Sequence, residues 1–206
     1  MIFVVIIISY LLGSIPFAYI LIRLYSKQDI RTIGSGNVGA MNSFETTGKK
    51  WIGIVVFFLD MLKGLLAVII AHRLTDNDFL PVVSAVLLVI LGHNYSVFLK
   101  FKGGRGLATA VGSALLTAPI IILFWGIFWL IGIFILKKEL IIANTIALAG
   151  TPIAFYFLSE NLISYTSILN TPNILMIKLA VFLLCAIIFL AHVEPLKQSL
   201  NKKDDV

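Results

Sequence analysis

The feature that most constrains this chain is a series of long apolar runs. They occupy about 1–22, 51–72, 79–92, 107–136, 140–158 and 173–191. A helix needs roughly 20 apolar residues to cross a bilayer core, and inside lipid every backbone polar group must be satisfied internally. Of the 206 residues, 60% are hydrophobic and only 13% are charged, about half the charged fraction of an ordinary soluble domain. The pattern predicts an all-α integral membrane protein, organised as one polytopic domain over 1–206 with a disordered tail from about 201. The N-terminal stretch MIFVVIIISYLLGSIPFAYIL has no basic leading segment and is long enough to span. It reads as the first transmembrane helix, not as a cleaved signal peptide.

The run 107–136 is too long for one untilted helix and short for two. Pro119 interrupts it, and a proline there either kinks one helix or sits in a tight hairpin. Charge decides between the two. With a hairpin, the basic residues from Arg23 to Lys50, from Lys100 to Arg105, at Lys137 and Lys138 and in the tail all share one side. Only Arg73 is left on the other, beside Asp76 and Asp78. Cytoplasmic loops carry the Lys/Arg excess. The expectation is therefore about seven spans, with the N-terminus outside and the C-terminus cytoplasmic.

The net charge of +6 and pI near 9.5 need no nucleic acid, because membrane-flanking loops are basic as a rule. The single cysteine, Cys185, excludes an intrachain disulfide. No His, Cys or Glu cluster has metal-ligand spacing, so no metal site is expected.

Two polar connectors fall on the cytoplasmic side. The first, Arg23 to Lys50, contains GSGNVGAMN (Gly34–Asn42), which can present backbone amides and the Ser35 hydroxyl to an oxyanion; an ordinary inter-helix turn is the alternative. The second, His93 to Thr109, reads HNYSVFLKFKGGRGLAT. Its glycines allow positive φ and close approach, and successive amides at a helix N-terminus suit an anion. Lys100, Lys102 and Arg105 add charge, though such residues also simply flank membrane helices. Together the connectors point to a phosphate or carboxylate site.

Polar residues also interrupt the apolar runs. Asp60 and Lys63 lie on one helical face and can pair. Ionisable groups in spans mark a functional interior by default, although an ion pair that only anchors the helix is the bland alternative. Lys178 falls near the outer end of the last span and reads as snorkelling. Thr109, Ser113 and Thr117 recur at helical spacing, forming a polar seam or bonding back to their own helix. Asn144 and Thr145 read as a cap for the sixth span. His192 ends the last span, where the helix dipole favours it.

Four segments carry a family resemblance: LLGSIPFAYIL (Leu11–Leu21), GSGNVGAMN (Gly34–Asn42), FFLDMLKG (Phe57–Gly64) and LGHNYSVFLKFKGGRGLATAVG (Leu91–Gly112). In order, they resemble the acyl-phosphate-dependent glycerol-3-phosphate acyltransferases of bacteria. The resemblance implies a seven-span fold in the inner (plasma) membrane with its motifs toward the cytoplasm. It implies transfer of a fatty acyl group from acyl phosphate to the 1-hydroxyl of sn-glycerol 3-phosphate, giving lysophosphatidic acid, without metal or cofactor. It places substrate at Ser35, Gly36, Asn37, Gly39, Asn42, Lys63, Lys102, Gly103, Gly104, Arg105, Gly106, Thr109 and Glu194. The expected partners are the two substrates and membrane lipid.

The chain departs from the family pattern at Met41, at Glu45 where Arg is usual, at Ile141–Asn144 where serines are usual, and at Pro195 after His192-Val193-Glu194. Lys is replaced by Arg105. Chemically, an acyl phosphate is already activated, so positioning and charge stabilisation suffice. Ser35, Asn37, Lys102 and the Gly103–Gly106 backbone are assigned to phosphate, and Arg105 to the second or departing phosphate. His93 and His192 are the candidate proton acceptors, with no evident carboxylate to orient them, so a substrate phosphate oxygen is the preferred base. The acyl chain is expected to enter near Phe98 and Phe101. Two other readings stay open: an inactive relative that binds anionic lipid or a membrane partner, which the departures favour, and an anion or lipid transporter, which inverted repeats would favour.

Overall fold

The computed structural model describes residues 1–76, 78–166 and 173–204. The regular elements among them are helical: α1 Ile2–Ser14, α2 Phe17–Ser26, α3 Ala40–Thr47, α4 Lys50–Thr75, α5 Phe79–Asn94, α6 Leu107–Thr117, α7 Ile120–Leu130, α8 Leu140–Tyr156, α9 Glu160–Thr166, α10 Ile174–Leu190 and α11 Val193–Asp204. The chain divides into two compact units, Met1–Ser113 and Ala114–Val206; α6 runs across the division.

Among the described residues, three stretches are long and apolar enough to cross a membrane: Ile2–Ser26, Lys50–Thr75 and Phe79–Leu99. A fourth, Ile174–Leu190 with Val193–Asn201, is bent by 49° at its break. The remaining apolar helices are shorter. The run 107–136 is indeed interrupted at Pro119, with α6 ending at Thr117 and α7 starting at Ile120. Two sequence expectations need correction. The first apolar run is not one helix but two, because Pro16 has no N–H to donate and holds Ile15 in extended backbone (φ −60°, ψ 116°). α11 runs to Asp204, and the last two residues of the expected disordered tail lie outside the described residues. Asn144 and Thr145 do not cap α8, which starts at Leu140; Thr145 bonds back to the Ile141 carbonyl at 2.8 Å.

In the first unit, α1 packs on α5 through reciprocal glycines. A Cβ at Gly13 would strike the Val89 carbonyl, and one at Gly92 would strike the Tyr10 carbonyl and lie 2.9 Å from the Ser14 amide. α4 meets the start of α6 in the same way, Gly64 against the Thr109 carbonyl and Gly112 against that of Met61. Apolar burial between helices drives little in lipid, so backbone contact across small residues supplies van der Waals packing instead. Ser113 adds a hydrogen bond from its hydroxyl to the Gly64 carbonyl at 3.3 Å while also bonding back to Thr109 at 3.1 Å. Both roles foreseen for that seam are thus present in one residue.

A second core lies where the connectors meet. Ala18 and Ile22 of α2, Ile30 and Val38 of the first connector, Ile52 and Val56 of α4, and Leu99 of the second connector are all buried in one cluster. Tyr25 and Trp51 stack edge to face beside it, ring centres 6.0 Å apart, and both are largely exposed. Such aromatic pairs favour the membrane–water boundary.

Candidate active site

Asn42 builds the first connector. Its side-chain oxygen accepts the Ser35 amide at 3.0 Å. Its amide nitrogen reaches the carbonyls of Asn37 (3.0 Å), Ile30 (3.2 Å) and Ile33 (3.2 Å). Asn42 is 1% exposed, so both ends of its amide are committed to holding the loop. Gly34 sits at φ +57°, with no room for a Cβ beside Asn42. The amides of Gly36 and Gly39 are likewise donated within the loop, to Ile33 and Asn37. What the loop presents outward is the exposed Ser35 and the half-buried Asn37.

Asp29 and Arg31 brace this loop from outside. The Arg31 guanidinium grips the Asp29 carboxylate at 2.6 Å and lies over the Tyr19 ring. The Arg31 hydrogen bonds hold the Asp29 carboxyl at about 2, well below its ordinary value.

The second connector turns sharply through Lys100 (φ 54°) and Phe101 (φ 62°), both left-handed without being glycine. It then runs back along the end of α5: the Gly103 amide bonds the Asn94 carbonyl at 3.0 Å and the Gly104 amide bonds that of His93 at 2.9 Å. A Cβ on Gly103 would strike the His93 carbonyl; one on Gly104 would strike the His93 ring and lie 2.6 Å from the Val38 carbonyl. These glycines permit close approach of the two connectors. In this structure their amides are donated to α5. Gly106 takes φ +81° and opens α6, whose first intrahelical bond runs from Ala110 to Gly106; the amides of that first turn precede it. Lys100 and Lys102 are exposed. Burial pulls the Arg105 guanidinium below its ordinary pKa, and the Glu45 carboxylate pushes it partly back. Thr109 is fully buried against Gly64.

Beneath the connectors lies a buried charge network. Lys63 Nζ is 2.9 Å from Asp60 Oδ1, and His93 Nδ1 is 3.5 Å from the same oxygen. Lys63 also donates to the Ile15 carbonyl at 3.1 Å, and the Ser96 hydroxyl donates to the Ser14 carbonyl. All six polar groups converge at the α1–α2 break. They surround a space of about 10 Å³, room for one water, also lined by Val38 and Gly103. The expected Asp60–Lys63 pair is present. The expectation that no carboxylate orients a histidine is corrected for His93: Asp60 lies on α4, which packs beside α5. The contribution of Ser14, Ile15 and Ser96 was missed; the signal was a proline between Ser14 and a polar-to-apolar boundary inside a span.

His192 and Glu194 belong to the second unit. His192 is buried, its Nδ1 2.8 Å from the Ile188 carbonyl. Glu194 is exposed in the first turn of α11 and accepts from Gln198 at 3.2 Å.

Among its described residues the chain is a helical protein with apolar spans, whose two glycine-rich connectors dock over a buried ion network. The glycerol-3-phosphate acyltransferase family model matches residues 3–202, and the chain belongs to that family. It is 39% identical over 160 residues to a glycerol-3-phosphate acyltransferase of Syntrophotalea carbinolica, covering 77% of this chain and 80% of that one. It is 43% identical over 153 residues to one from Aquifex aeolicus, covering 74% and 77%. The crystal structure of PlsY (YgiH), an integral membrane glycerol 3-phosphate acyltransferase in its glycerol 3-phosphate form, superposes with a TM-score of 0.78 at 32% identity, over 98% of this chain and 92% of that one.

Proposed function

We propose that this chain is a membrane glycerol-3-phosphate acyltransferase that takes its acyl group from acyl phosphate. The observation that carries the reading is the docking of Gly104 against Val38 and His93, which brings both basic, glycine-rich connectors to one place in a protein of this family. The membrane is the inner (plasma) membrane, crossed about seven times, with the connectors on the cytoplasmic side as the Lys/Arg distribution favours.

Ser35 and Asn37 from the first connector, and Lys102, Arg105 and the first-turn amides of α6 from the second, hold the phosphate of glycerol 3-phosphate and that of the donor. The 1-hydroxyl attacks the acyl carbonyl, the new ester C–O bond forms, and the bond to the phosphate oxygen breaks. The hydroxyl proton leaves on a phosphate oxygen. His93 is poorly placed as the base, since its ring is confined between Asp60 and Gly104; it positions the second connector. Orienting two substrates and neutralising the departing phosphate are the main demands of such a reaction. Phe98 and Phe101, 60% and 61% exposed on the second connector, offer an apolar approach for the acyl chain.

The test is turnover by purified protein in liposomes. Palmitoyl phosphate with glycerol 3-phosphate should give lysophosphatidic acid, and palmitoyl-CoA should not replace the donor. Binding of glycerol 3-phosphate without product would instead support an inactive relative.

A further inference from the structure

The second unit contains an apolar groove of about 710 Å³ between α8 and α10, within the size range of ligand sites. Its walls include Leu148, Pro152, Leu179, Phe182 and Phe189. No residue assigned above to substrate lines it. Pro152 lies inside α8, where it cannot donate to the Leu148 carbonyl, a recognised origin of helix bends.

One cation stands at this groove. Lys178 Nζ lies 5.1 Å from the centre of the Tyr156 ring, a cation–π distance. Among the described residues no ion pair of Lys178 is present. From Lys178 to Phe189 the wall extends about 16 Å at 1.5 Å per residue, roughly half of a ~30 Å hydrocarbon core. The groove therefore has the length of one leaflet, hydrocarbon walls, and at one end a positive charge with no acidic partner among the described residues. A half-buried ammonium beside hydrocarbon walls is attracted more strongly by a headgroup of net negative charge than by a neutral one.

We infer that this groove retains one membrane phospholipid of net negative charge, with an acyl chain along α8 and α10 and its phosphate on Lys178. This site is separate from acyl transfer and does not depend on the proposed reaction.

Native mass spectrometry of the purified full chain tests it, after exchange into equal phosphatidylglycerol and phosphatidylcholine of the same chain length. The wild type should keep about one lipid, with a several-fold preference for phosphatidylglycerol. Lys178→Gln should bring that preference near parity while acyl transfer, measured as above, is unchanged. Ala186→Trp should fill the groove and lower retention of both lipids. Unaltered preference in Lys178→Gln, or wild type that keeps neither lipid, would overturn the inference.

Discussion

Lys63 donates to the carbonyl of Ile15 at 3.1 Å, in the gap that Pro16 opens between α1 and α2. A continuous helix would turn that carbonyl back into its own ladder. Broken there, the backbone supplies Lys63 with a second acceptor beside Asp60. The charge pair in α4 and the discontinuity in the first span are thus one construction, and the connectors rest on it through Val38 and Gly103.

Removing either buried partner should cost about 3–5 kcal/mol, because the other charge is left uncompensated. Thermal unfolding in detergent should show a large loss for Lys63→Met and for Asp60→Leu. The double variant should recover much of it. Equal, additive losses would mean that the two residues are not coupled.

Gly104→Ala should disable the site without dismantling the bundle. The added carbon meets the His93 ring and the Val38 carbonyl, and forced repacking of this kind costs roughly 1–3 kcal/mol. Lysophosphatidic acid formation should fall by more than tenfold while helical content is kept. Wild-type activity would show that the two connectors separate during turnover.

The ion pair, the proline break and the connector glycines differ in how legible they are in the sequence. The Asp60–Lys63 pair followed from helical spacing alone, and the break at Pro119 from one proline in an overlong run. Gly103 and Gly104 were read as anion-binding glycines because glycine-rich sequence before a helix is ambiguous. Free amides and close backbone packing both require glycine, and only coordinates distinguish them. Asn42 reads as a substrate-side residue from its motif, and the structure adds that its side-chain amide holds neighbouring backbone. The Asp60–His93 contact was hidden because it joins two helices far apart in the chain.

Asn42→Ala should loosen the first connector. Each buried group left unpaired costs about 1–3 kcal/mol. The KM for glycerol 3-phosphate should rise several-fold, and limited proteolysis should cut between Ile33 and Gly39. Protection equal to wild type would mean that the loop holds without this side chain.

Glu45→Gln removes a carboxylate that acts on Arg105. With less negative charge beside the proposed phosphate site, the KM for glycerol 3-phosphate should fall by a factor of about 2–5, the order of a surface charge interaction of up to ~1 kcal/mol. An increase in KM would place Glu45 on the productive side of the site.

The Asp29 carboxyl is lowered on folding, from 3.8 to about 2. Its contribution to stability is therefore full above about pH 4 and disappears as pH falls through about 2. The pair is about 30% exposed, so the effect is small. The stability difference between wild type and Asp29→Asn should be constant from pH 7 to 5 and shrink below pH 4. A difference that grows on acidification would contradict the assignment.

Both connectors contribute to holding the phosphate of glycerol 3-phosphate. Calorimetric binding of glycerol 3-phosphate to wild type, Asn37→Ala, Lys102→Ala and the double variant measures it most directly. Each single change should weaken binding about tenfold, about 1.4 kcal/mol, and the double variant should lose less than the sum. Unchanged affinity in both single variants would contradict the claim.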